Sequence, residues 1–235
     1  MADRFKGKVV LVAGGTGGLG QAVSLAFLNE GAMVHVTCRA EEEFAILRRS
    51  AGESAPSLSG HTTDVTSEPD VAQLLQTIGL IDVLVNTVGA YAGGSTLWQT
   101  PPDVFEKMIS LNLRSGYVLS RQVVPSMLKQ RGGAIVNISS RAAVDHAAGA
   151  SAYVASKAAA LAMMDSLAAD LKGTGVRVNT VLPSIIDTEA NRTAMPGADY
   201  ATWPKPEDIA RVILFLCSED SRLIHGAAVP VYGTS

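Results

Sequence analysis

Short runs of β-branched and aliphatic residues recur along this chain, and between them lie longer stretches with the apolar period of helices. Alternation of that kind restricts the chain to repeated βαβ units packed around a parallel sheet. The strand candidates are residues 8–13, 33–37, about 59–62, 82–86, 134–138, 176–181 and 227–231. Helices are expected over 18–30, 68–78, 102–128, 152–172 and 206–217. The fold class is therefore α/β, a doubly wound sheet of about seven parallel strands with helices on both faces.

At 235 residues the chain is long enough for one large domain, and no break in composition argues for two. Hydrophobic residues make up 47% and charged residues 17%, which excludes a disordered chain and suits strands buried on both faces. A net charge of -3 offers no electrostatic footprint for nucleic acid or an anionic membrane, so a small-molecule partner is expected. The charged opening leads straight into Val9-Val10-Leu11-Val12, a run too short for a signal peptide or a membrane span. Cys38 and Cys217 sit in no C-x-x-C pair and no Cys/His cluster, which argues against a disulfide framework or a metal site. They read as core thiols of a protein in the reducing cytoplasm. Residues 184–206 have no clear period and carry Pro196, Gly197, Pro204 and Pro206, as a substrate-covering segment would.

The turn Ala13-Gly14-Gly15-Thr16-Gly17-Gly18-Leu19-Gly20 follows a strand and opens a helix. In that context glycines let backbone N–H groups approach a dinucleotide pyrophosphate, since a Cβ would block the turn or the phosphate. The second strand ends at Cys38-Arg39, where an acidic side chain would accept the ribose hydroxyls of NAD(H). Arg39 instead offers a planar fork suited to a 2′-phosphate, which favours NADP(H); the alternative is a solvated arginine starting a charged helix with Glu41, Glu42 and Glu43. Tyr153 and Lys157 stand at i and i+4 on one helical face, where an ammonium lowers a phenol pKa. Ser140 ends a strand-like run thirteen positions before Tyr153, placed to meet it over a carbonyl oxygen. Taken singly, Ser140 reads equally as a strand-end turn residue and Asn112 as a satisfied polar group inside a helix.

Together these motifs resemble the short-chain dehydrogenase/reductase family over essentially the whole chain. The family's glycine-rich opening is similar to Ala13–Gly20 as quoted, its adenine contact to Asp64-Val65, and its strand end to Asn86-Thr87-Val88-Gly89. Its asparagine falls on Asn112, its serine on Ser140 and its Tyr/Lys pair on Tyr153 and Lys157. A later family segment is similar to residues 179–188. This chain departs from the pattern at Ala13, Thr87-Val88 and Ser184, all supporting positions.

The resemblance implies a hydride passing between a nicotinamide and a carbonyl carbon, with Tyr153 handling the proton and Ser140 polarising the oxygen. Lys157 would hold the nicotinamide ribose and depress the tyrosine pKa, and Asn112 would anchor a water chain. Cofactor contacts carried over are Gly14, Thr16, Gly18, Leu19, Gly20, Arg39, Asp64, Val65, Asn86, Gly89, Tyr153, Lys157, Pro183, Ile186 and Thr188. In the family this chain resembles, the helix matching 152–172 joins subunits, which implies a homodimer or homotetramer, although packing within one chain explains its small residues equally. Tyr91 and Trp98 are candidate pocket residues, while His146, Arg141 and Asp145 read as solvated.

Residues 187–200 and Trp203 are similar to the dihydropteridine reductase branch, which typically lacks the serine at position 140. A 3-oxoacyl thioester, a ketosteroid, a quinone, a small ketone and a pterin therefore all stay open as substrates. A nucleotide-sensing module without turnover is the reading from another class.

Overall fold

The computed structural model describes residues 3–234. Its strands are β1 (Val9–Ala13), β2 (Met33–Cys38), β3 (Leu58–Thr62), β4 (Val83–Asn86), β5 (Gly133–Ile138), β6 (Val176–Pro183) and β7 (Ala228–Val231). Its helices are α1 (Gly18–Asn29), α2 (Glu41–Ser50), α3 (Glu68–Ile78), α4 (Pro102–Ile109), α5 (Ser115–Gln130), α6 (Ser151–Asp170), α7 (Glu189–Ala194) and α8 (Pro206–Cys217). The strands form one parallel sheet in the order β3-β2-β1-β4-β5-β6-β7.

Alternation along each strand builds two cores. Val10 and Val12 of β1 join Val34, Val36 and Phe27 under α1, α2 and α8, while Leu11 and Ala13 join Leu84, Ile135 and Val118 under α3, α5 and α6. Both sets are buried, and this is why the strands read as continuous apolar runs rather than alternating ones. Phe27 is wholly buried edge-to-face on Phe5, with ring centroids 4.8 Å apart. Truncating such a ring to alanine costs about 3–5 kcal/mol.

The strand order reverses beside β1: the chain steps outward through β2 and β3, then returns to place β4 on the other flank. Connections leaving β1 and β4 thus diverge to opposite faces and open a crevice at their carboxyl ends. Thr87 closes its floor, its N–H donating to Ala13 O (3.0 Å) and its hydroxyl to the same oxygen (2.7 Å).

Two expectations need correction. The helix expected over 102–128 is interrupted, because Ser110–Arg114 forms a π turn between α4 and α5. There the Ser115 N–H donates to Ser110 O, and the Ser115 hydroxyl takes the Leu111 carbonyl instead (2.8 Å). Residues 184–206 are ordered locally rather than irregular. Arg192 grips Asp187 with two bonds (2.5 and 2.8 Å) and lies 4.9 Å from the centre of the Tyr200 ring. A six-residue helix held by an ion pair leaves no apolar period to read. Among the described residues, no helix is long and apolar enough to cross a membrane.

At the sheet edge His35 of β2 and His61 of β3 stack, with Nδ1 and Nε2 3.0 Å apart. Burial holds both imidazoles below the ordinary 6.5, and for His35 the His61 charge adds to this. The unfolded chain therefore binds more protons just below pH 6.5, so the neutral pair contributes its full stability above that value and loses it as pH falls. The guanidinium midpoint of unfolding is expected to drop between pH 7.5 and 5, with a smaller drop in His61→Gln. An equal drop in that variant would remove the pair from the account.

Candidate active site

Four sequence-distant segments meet at the crevice. The end of β5 delivers Ser139 and Ser140, α6 delivers Tyr153 and Lys157, the segment after β4 delivers Gly89 and Tyr91, and the end of β6 delivers Pro183 to Ile186. With Leu19 on one side and Asn191 and Met195 on the other, they enclose a cleft of about 620 Å³. That volume falls in the range of small-molecule and cofactor sites.

Ser140 serves two purposes. Its hydroxyl accepts from the Ala142 N–H (3.1 Å), capping the 3₁₀ turn Arg141–Ala143, and it is hydrogen-bonded to the Tyr153 phenol. The turn-residue reading of the sequence thus holds for a side chain that also contacts the expected proton-handling tyrosine. Burial pushes the Tyr153 pKa above its usual value, the Ser140 bond pulls it down, and Tyr91 pushes it further up. Tyr91 packs edge-to-face on Tyr153 with ring centroids 5.0 Å apart.

Lys157 behaves differently from the sequence expectation. Its side chain is buried, and Nζ donates to the Ile138 carbonyl (3.0 Å) rather than reaching the phenol, so the net shift on Tyr153 is upward. Burial lowers the lysine itself to about 8. The Ser139 hydroxyl donates to Lys157 O (2.9 Å) and ties this turn of α6 to the strand.

Asn112, 2% exposed, lies behind the cleft at the π turn. Its Oδ1 accepts from the Ala90 N–H (2.8 Å), and its Nδ2 donates to Ala90 O (3.0 Å) and to the Ser156 hydroxyl (2.9 Å). The side chain thus clamps the segment after β4 to α6. Gly89 fits only as glycine, because a Cβ there would stand 2.8 Å from Asn112 Oδ1 and 3.0 Å from Lys157 Nζ.

The glycine turn adjoins the cleft through Leu19. A Cβ on Gly20 would lie 2.1 Å from Gly14 O, which enforces glycine where α1 meets the turn. Gly17 caps α1 without a side-chain bond, leaving the first helical N–H groups to an incoming acceptor. Thr16 is buried, and Thr188 caps α7 while its methyl packs against Gly18. These donors, next to a cleft of this size, fit a nicotinamide dinucleotide.

The remaining candidates separate. Asn86 is buried beneath the crevice, bonded to Asn137 Oδ1 (2.9 Å). Arg39, Asp64 and Val65 lie outside the cleft lining, on the side of β2 and β3. The Asp64 carboxylate binds the N–H and hydroxyl of Thr66 (2.9 and 2.7 Å), Val65 is buried, and Arg39 pairs with Glu43 (2.9 Å). Tyr91 lines the cleft, whereas Trp98 is 83% exposed and does not. Arg141 and Asp145 also line it, paired at 3.0 Å. His146 faces the Ala143 carbonyl. Sequence reasoning did not single out Ser139 or Ser156, and it included Ile185 and Met195 only as members of longer segments such as 184–206.

Residues 8–198 match the short chain dehydrogenase family. The chain belongs to that family. It is 32% identical over 242 residues to the 3-oxoacyl-[acyl-carrier-protein] reductase FabG of Thermotoga maritima, covering 98% of each chain. It is also 32% identical to the 2-(R)-hydroxypropyl-CoM dehydrogenase of Xanthobacter autotrophicus, covering 96% of this chain and 97% of the relative. Among solved structures, ElxO with NADP bound superposes with a TM-score of 0.89 at 28% identity, covering 96% of this chain and 97% of that one. An NAD+-bound xylitol dehydrogenase superposes with a TM-score of 0.89 at 26% identity, covering 98% and 99%. The protein is an oxidoreductase of the short-chain dehydrogenase type.

Two outcomes follow from this geometry. Asn112→Ala removes a clamp with bonds to both polar groups of Ala90, and is expected to cost about 2–3 kcal/mol in chemical denaturation and to lower kcat more than it raises KM. An unchanged kcat would reduce Asn112 to a packing residue. Because Lys157 loses its charge as pH rises through about 8, kcat/KM is expected to fall above that pH; a profile flat to pH 9.5 would contradict it.

Proposed function

We propose that this family member is an NADP(H)-preferring reductase of ketones, with 3-oxoacyl thioesters as the leading substrate class. The observation that carries the reading is the Tyr153–Ser140 hydroxyl pair above buried Lys157, in a cleft running from the glycine turn to the apolar wall of Ile185 and Met195. The name of the Thermotoga maritima relative supports the thioester class.

Gly14, Thr16, Gly18, Leu19 and Gly20 would hold the pyrophosphate side of the cofactor, Arg39 its 2′-phosphate, and Asp64, Val65, Asn86 and Gly89 the wall along the strand ends. Pro183, Ile186 and Thr188 would close over the nicotinamide, with Lys157 and Tyr153 beneath. When bound, the nicotinamide supplies or accepts the hydride. Ser140 donates to the substrate oxygen and fixes the carbonyl over Tyr153. A phenol held above its ordinary pKa is protonated at neutral pH, so Tyr153 is set to give its proton to that oxygen in the direction of carbonyl reduction. Lys157, held by the Ile138 carbonyl, would hold the nicotinamide ribose from beneath the cleft. Residues 184–206 would cover the substrate.

Two buried, unbridged thiols suit a reducing compartment, and we place the protein in the cytoplasm. Exposed Ala155 and Ala162 on α6 leave a small-residue surface for a second subunit, in a homodimer or homotetramer.

The test is NADPH and NADH oxidation, followed by absorbance, against acetoacetyl thioesters, simple ketones, quinones and quinonoid dihydropterin. Faster turnover of the thioester with NADPH is expected, and Tyr153→Phe should keep nucleotide affinity while losing about 10²–10⁴-fold in kcat. Turnover of the pterin in preference would move the protein to the dihydropteridine reductase branch. Tight nucleotide binding with no turnover of any of these would favour a sensing module.

A further inference from the structure

The glycine turn and the end of β2 are joined by a side chain that no motif signals. Glu43, in the first turn of α2, accepts from the Thr16 hydroxyl at Oε2 (2.9 Å) and from the Arg39 guanidinium at Oε1 (2.9 Å). Thr16 is buried and the Arg39 side chain is 91% exposed, so the carboxylate stands where the turn meets solvent. The Thr16 hydroxyl, and after it the Arg39 charge, hold Glu43 below the usual carboxylate range and keep it ionised at neutral pH.

An unphosphorylated dinucleotide needs an acidic acceptor for its ribose hydroxyls, and β2 ends in Cys38-Arg39 without one. Glu43 brings a carboxylate to the same neighbourhood from the following helix. A 2′-phosphate drawing on Arg39 has to share that guanidinium with Glu43, and has the carboxylate as a like-charged neighbour.

We propose that Glu43 is a specificity-determining residue that sets the balance between the two nicotinamide dinucleotides. It accepts from the ribose of NAD(H) and opposes the phosphate of NADP(H) by holding Arg39. The inference rests on the reading of Arg39 as the phosphate ligand.

The experiment measures dissociation constants of the full-length protein for NADPH and NADH by fluorescence titration, at one fixed ionic strength, in wild type, E43Q, R39Q and the double variant. Glutamine keeps an acceptor for Thr16, so E43Q is expected to melt close to wild type. Its NADPH affinity should rise about three- to tenfold, and its NADH affinity should fall about tenfold. In the R39Q background the gain for NADPH should shrink, since the residue Glu43 competes for is gone. Should E43Q melt well below wild type, Glu43→Asp, whose shorter carboxylate withdraws from Arg39, should shift the two affinities in the same directions. E43Q affinities that are unchanged, or altered alike for both nucleotides, would overturn the proposal. R39Q that binds NADPH as wild type does would overturn the Arg39 reading and this proposal with it. R39Q that loses NADPH affinity beside a silent E43Q would overturn the role of Glu43 alone.

Discussion

Everything in this molecule hangs on the reversal of strand order beside β1. Neighbouring strands whose following segments leave for opposite faces cannot cover their own carboxyl ends, so the fold opens a crevice there without any special side chain. What the sequence adds is the lining. Parallel register sets Ala13 beside Asn86, and Asn86 beside Asn137. The segments that follow β1, β4 and β5 therefore emerge at one level, carrying the glycine turn, Gly89 and Ser140.

Within the crevice the costly element is a buried ammonium. Lys157 lies under the cleft with its Nζ on the Ile138 carbonyl, and burial accounts for the fall of its pKa. The neighbouring structure is organised to keep it there. Ser139 pins its main chain to β5, Gly89 leaves room for its nitrogen, and Asn112 fixes the segment that carries Gly89. Tyr153 one turn earlier shares this rigidity, held between Ser140 and the Tyr91 ring.

The fold was legible because strands buried on both faces need unbroken apolar runs, and such runs are visible in one dimension. The meeting of Tyr153 and Lys157 at one cleft was legible for a similar reason, since an i, i+4 pair on a regular helix has a known geometry. Glu43 entered only through the alternative of a charged helix begun by a solvated Arg39, because its approach to Thr16 depends on how α2 docks after β2. The direction of the Tyr153 shift was misread, because helical spacing places two side chains on one face without saying which acceptor the longer one finds. Ile138 O takes the lysine, and burial then decides the sign.

The π turn at Ser110–Arg114 carries a consequence for how this helix can vary. One residue turns an α-helix by about 100°, so the extra residue in this turn resets the phase between α4 and α5. Met108 before it and Val118, Leu119 and Val123 after it are all buried on that resetting. Losing a single residue from the turn would restore an unbroken α-helix and raise its local regularity. It would also rotate one half against the other and pull Asn112 away from Ala90. Regularity of this helix and the clamp on Ala90 thus oppose each other, because Asn112 makes both of its bonds to Ala90 from the wider turn.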